Sequence, residues 1–105
     1  MSYQIVFMTA SGMDEAQRIA EKLVEQSLVA CVNIVDACRS VYRWEGEIVK
    51  DNEVLMLAKT SEENFQAVAE LVNEIHSYDV PEVIAADLTQ LSDGYSSFLR
   101  DVLYG

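Results

Sequence analysis

Hydrophobic positions follow two different periods along this chain. From Tyr3 to Thr9 they form one run, with Tyr3, Ile5, Val6, Phe7 and Met8, which predicts a central strand covered on both faces and ending at Ala10-Ser11-Gly12. From Ala16 the spacing changes to i, i+3, i+4, i+7, i+8. Ala16, Ile19, Ala20, Leu23 and Val24 then predict an amphipathic helix, with Asp14 and Arg18 paired at i, i+4 outside the stripe and Ser11 with Asp14, or Asp14 alone, as its cap. Val29 to Val35 returns to β-branched residues. Ser40 to Trp44, followed by Ile48, Val49 and Glu53 to Thr60, predicts two long strands joined by a turn at Glu45-Gly46-Glu47. Thr60 and Glu63 form a capping box ahead of a second helical stripe at Phe65, Val68, Ala69, Val72 and Ile75. That helix must stop before Pro81, because the residue preceding a proline is pushed out of the helical region. Glu82 to Leu88 predicts a fourth strand, and Tyr95, Phe98, Leu99, Val102 and Leu103 a short terminal helix capped by Ser92 or Asp93.

The order β-α-β-β-α-β plus a C-terminal helix predicts an α+β protein. Its natural closure is a ferredoxin-like sandwich, an antiparallel sheet with both main helices on one face and a long central hairpin. The strands expected over Cys31 to Val41 and Glu47 to Thr60 exceed the roughly 5–6 residues of an ordinary strand. A hairpin of that length projects past its own helices and leaves open edges and exposed aromatics at Tyr42 and Trp44, so another subunit is expected to cover it.

Composition adds limits. The chain has 105 residues, 4 Gly and 1 Pro, with no repeat or linker-like tract, which predicts one domain over residues 1–105. Seven basic residues against 18 acidic give a formal charge of −11, and no Lys or Arg falls between Lys59 and Arg100, so nucleic acid is not an expected partner. No run approaches the roughly 20 apolar residues of a membrane helix, and the N-terminus lacks the basic region of a signal peptide. A cytoplasmic protein is the resulting expectation. Cys31 and Cys38 match neither a C-x-x-C motif nor a disulfide framework and are expected to be buried free thiols.

The loop Thr9-Ala10-Ser11-Gly12-Met13-Asp14 lacks the cysteine pair of a metallochaperone and the arginine of an acyl-phosphate hydrolase. Walker A, GxGxxG and GxSxG patterns are also missing. His76, the single histidine, sits where the second helix should end, and it reads either as a metal ligand or proton donor or as a helix-terminal residue. Met8, Cys31 and Cys38 offer soft sulfur that would suit Cu(I) if the fold brought them near it. Glu53 and Lys59 share a strand at an even spacing, hence a face, and could form a polar site with Tyr78 and Glu82; a solvated face or an ion pair between subunits is the competing reading.

Four segments taken together resemble the CutA family of divalent-cation tolerance proteins: Ala30-Cys31-Val32-Asn33, Ser40-Val41-Tyr42-Arg43-Trp44-Glu45-Gly46-Glu47, Glu53 to Thr60, and His76-Ser77-Tyr78-Asp79-Val80-Pro81-Glu82. The resemblance spans nearly the whole chain in order, and the Trp-Glu-Gly hairpin and the His-x-Tyr-x-x-Pro-Glu segment are its specific parts. It implies a ferredoxin-like protomer in a homotrimer of PII-like architecture, with the hairpins joining sheets between subunits. The copper-binding members imply a cysteine on the first strand and adjacent histidines, where this sequence has Met8 and Ile75-His76. Ser77, Glu47 and Phe98 depart from the family pattern as well.

The leading expectation is a non-enzymatic homotrimer whose intersubunit clefts take a metal ion or small ligand. Tyr42, Trp44, Glu53, Lys59, Tyr78 and Glu82 are the candidate cleft residues, and His76, with Met8 as a soft ligand, is the candidate metal site for copper or another divalent cation, no cofactor being required. The alternatives are a dedicated copper-tolerance protein using His76 and a PII-like signalling or scaffold trimer with no metal role. Hydrolase or transferase chemistry at Lys59 or Glu82 ranks last, because no base and nucleophile pair is visible.

Overall fold

Eight segments of regular structure occur in the computed structural model, which describes residues 2–105. They are β1 (Tyr3–Ala10), α1 (Met13–Glu25), β2 (Cys31–Trp44), β3 (Glu47–Ser61), a single 3-10 turn (Glu62–Asn64), α2 (Phe65–Ile75), β4 (Val83–Leu88) and α3 (Asp93–Tyr104). The strands form an antiparallel sheet in the order β2-β3-β1-β4, the predicted ferredoxin-like arrangement.

Side chains alternate across the pleat, so the register assigns each strand two faces. Val6 faces Ala58, Met8 faces Met56 and Ala10 faces Val54; all six are buried, and Ala16, Ile19, Leu23, Val68 and Val72 of α1 and α2 close over them. Full burial of one such aliphatic side chain contributes roughly 1.5–3 kcal/mol, so this layer is the main source of protomer stability. On the opposite face α3 covers only one end, packing Leu99 and Leu103 against Tyr3 and Leu88. The rest of that face carries Ile5, Phe7, Leu55 and Leu57, all partly buried, and Ile84, which is 55 % exposed.

Several local expectations change. The first helix begins at Gly12 with no side-chain cap; instead Glu15, three residues into the turn, accepts from the Ser11 backbone N–H at 3.0 Å. Glu15 also takes Arg18 at 3.7 Å, the partner that the sequence spacing assigned to Asp14. Val24, at the edge of the stripe, is exposed. Thr60 does not leave the strand to cap α2, because it pairs with Gln4 and its hydroxyl donates to the Leu28 carbonyl at 2.5 Å. Ser61 instead caps the 3-10 turn ahead of α2, accepting from the Asn64 N–H at 3.3 Å, while α2 itself starts without a side-chain cap and Ser92 caps α3. The two cysteines are free but only partly buried, and Cys31 Sγ lies 3.2 Å from the Tyr95 hydroxyl.

The hairpin is the long feature of the molecule, whose extents are 44 × 25 × 22 Å. β3 has 15 residues, yet β1 pairs with it only from Val54 to Ser61, and the stretch from Glu47 to Glu53 pairs with β2 alone. The turn is a two-residue loop, Glu45-Gly46, with φ of +50° and +82°; glycine suits the second position because left-handed backbone costs it nothing. A bulge interrupts β2 between Val35 and Cys38, where Ala37 has φ +64° and its N–H donates to Asp36.

Candidate functional site

That bulge decides which side chains reach the base of the hairpin. Between the Val35–Leu55 and Cys38–Glu53 pairs β2 advances three residues while β3 advances two, so the alternation on β2 is reset. Cys38, Ser40, Tyr42 and Trp44 therefore share a face with Glu53 and Asp51.

The second wall is the loop after α2. His76 ends the helix with extended backbone, and its imidazole turns inward, fully buried. Nε2 donates to the Thr9 carbonyl at 2.8 Å and Nδ1 accepts from the Tyr78 N–H at 3.0 Å, which sets the tautomer. The Tyr78 ring lies against the imidazole with centroids 4.6 Å apart, and its hydroxyl donates to Glu53 Oε2 at 2.9 Å. Burial, then the bond to Glu53, holds the Tyr78 phenol well above the ordinary phenol range. On the hairpin side Tyr42 Oη donates to Asp51 Oδ2 at 2.5 Å, and this bond raises the Tyr42 pKa.

The loop is fixed from below by Glu15. Its carboxylate accepts from the Ser77 N–H at 2.7 Å, the Ser77 hydroxyl at 3.0 Å and the Ser11 hydroxyl at 2.8 Å, besides the Ser11 N–H. Burial alone would raise its pKa. The four hydrogen bonds outweigh burial and bring it from 4.5 to about 2. Glu15 thus ties the loop after β1 to the residue preceding Tyr78.

Between these walls lies a cavity of ≈ 550 Å³ lined by Tyr42, Trp44, Glu53, Tyr78 and Glu82, together with Thr9. Lys59 does not join it. Although Lys59 shares a face with Glu53, six residues at roughly 3.3 Å each separate them by about 20 Å, and its ammonium donates to Asn33 instead. The candidate metal pair does not meet as a donor set either. Met8 is buried in the core across from Met56, and both nitrogens of His76 are engaged by backbone. Among the described residues no group of three or more His, Cys, Asp or Glu could hold a metal ion.

Comparison with known proteins places this geometry. A family model for the CutA1 divalent ion tolerance protein matches residues 4–102. The chain belongs to the CutA1 family. The divalent-cation tolerance protein CutA of Thermus thermophilus is 41 % identical over 98 residues, covering 93 % of this chain and 95 % of that protein. The chloroplastic CutA protein of Arabidopsis thaliana is 40 % identical over 92 % of this chain, which spans only 53 % of that longer relative. The crystal structure of CutA1 from Oryza sativa superposes with a TM-score of 0.94 at 36 % identity, covering 97 % of this chain and 94 % of that one.

Within this CutA1 chain, the sequence reading overlooked Glu15, Ser40 and Asp79. Ser40 and Asp79 line the cavity. Asp79 stands inside the quoted His76 to Glu82 segment, and Ser40 alternates with Tyr42 and Trp44, so both carried a usable signal. Glu15 carried none, since only the fold brings Ser77 to it.

Proposed function

We propose that this CutA1 chain acts as a non-enzymatic homotrimer whose clefts, at the bases of the hairpins, bind a small ligand. One observation carries the reading: exposed apolar side chains run along the hairpin to its tip, Val35 and Trp44 on the open face of the sheet and Val41 and Ile48 on the other. Val35 is 48 % exposed, Val41 62 %, Trp44 50 % and Ile48 63 %. Exposed strands of this length and composition invite pairing with another chain, and copies of the same chain supply a matching surface. Binding rather than turnover is supported by the cavity wall, where Tyr42 and Tyr78 already donate to carboxylates and stand far from the pKa of a working acid or base.

Among the described residues no helix is long and apolar enough to cross a membrane. Two free cysteines accord with the cytoplasm as the working compartment.

Trp44→Glu tests the assembly. It places a charge on the exposed hairpin, and light scattering should show the trimer replaced by monomers that retain the protomer's circular dichroism. An intact trimer would refute the interface. Calorimetry with Cu(II) tests the ligand class: strong uptake by the wild type that His76→Ala abolishes would replace the small-ligand reading with a copper protein.

A further inference from the structure

Resting on that cleft reading, we infer that the ligand is a primary organic ammonium. Glu53 is the centre of the argument. It is 7 % exposed and lines the cavity, yet its hydrogen bond comes from a neutral phenol, Tyr78. Among the described residues no Lys, Arg or His nitrogen lies within 4.0 Å of it, the three ion pairs being elsewhere. A carboxylate taken out of water calls for a positive partner or several donors. Within the protomer Glu53 has one donor.

The rest of the wall points to the same chemistry. Tyr42 and Tyr78 direct their hydroxyl protons at Asp51 and Glu53, so their remaining lone pairs can only accept. Asp79 and Glu82 add carboxylates and Ser40 a hydroxyl, while no basic residue lines the cavity. An anion or nucleotide would meet only like charge. An ammonium group brings three N–H donors to these acceptors, Glu53 among them. Val80 gives an aliphatic stem an apolar contact, and the ≈ 550 Å³ volume lies within the roughly 300–1,000 Å³ of small-molecule sites. A bare divalent ion is a poorer fit, because these oxygens do not converge as a set of three ligands.

Trp44 is the single tryptophan, so its emission reports on this cavity directly. Titration with 1,4-diaminobutane at neutral pH should give a saturable change, and 1-butanol, without charge, should give none. Glu53→Gln keeps the shape and an acceptor for Tyr78, and should weaken diamine binding at least tenfold; Glu82→Gln, at an exposed position, should weaken it less and serves if Glu53→Gln does not fold. Native mass spectrometry on the same samples separates the two ideas. A trimer whose Trp44 emission ignores the diamine overturns the ammonium inference and leaves the cleft reading standing, whereas a monomer overturns the cleft reading. Equal responses to diamine and butanol, an affinity unchanged by both substitutions, or displacement of the diamine by an equimolar amount of Zn(II) would each overturn the inference.

Discussion

The apolar residues at the two ends of β3 have opposite fates. At one end Val54, Met56, Ala58 and Thr60 are almost entirely buried, whereas at the other Ile48 is 63 % exposed beside Val41 at 62 %. Ile48 and Val54 are both β-branched and apolar, so intrinsic strand preference does not separate these two positions. What differs is the layer above. The inner end lies beneath α1 and α2, and the outer end runs past every other element of its own protomer. Stability is therefore concentrated in the helix-covered half, and the hairpin keeps an apolar surface whose burial requires a second chain.

Substitutions in the two regions should separate folding from assembly, provided protein concentration is held constant. The largest effect belongs to the covered half. Leu23 on α1 is fully buried among sheet residues, and Leu23→Ala should lower protomer stability by about 3 kcal/mol in urea denaturation through lost transfer energy and the cavity left behind. Glu15→Gln comes next, at about 2 kcal/mol near neutral pH, because the amide replaces a carboxylate that accepts four hydrogen bonds. Its effect should depend on pH in a defined sense. The Glu15 pKa lies at about 2 when folded against 4.5 ordinarily, so its contribution is complete above about 4.5 and disappears as the pH falls toward 2. The stability gap between wild type and Glu15→Gln should close over that window; a gap constant with pH would remove the ionised carboxylate from the account. Trp44→Glu should have the smallest effect on the fold, within about 0.5 kcal/mol for the isolated protomer, since the residue is half exposed. A large loss of protomer stability there would erase the contrast between the two ends of β3.

Much of this architecture was legible in the sequence, for identifiable reasons. The stripe of Ile19, Ala20 and Leu23, the continuous β1 run and the Glu45-Gly46 turn are local signals, and the structure contains the predicted elements. Caps were less legible because they depend on where pairing stops. Thr60 looked like a cap and remains in the ladder because β1 extends far enough to pair with it. The bulge left no mark, since it rests on Ala37 at φ +64° rather than on a glycine. Lys59 shows the limit of parity arguments: a shared face with Glu53 was correctly read, but the length of strand between them keeps them apart. The position of His76 at the helix end was legible from Pro81 and the helical stripe, whereas the Thr9 carbonyl that engages its ring comes from a strand 67 residues away.

Native mass spectrometry of the wild-type chain, diluted stepwise, tests the central claim most directly. A subunit count of three that persists on dilution is the predicted result, with the apolar hairpin and open sheet face buried between copies. A chain that remains monomeric at every concentration would contradict the account, because Val41, Trp44 and Ile48 would then stand in water without a partner.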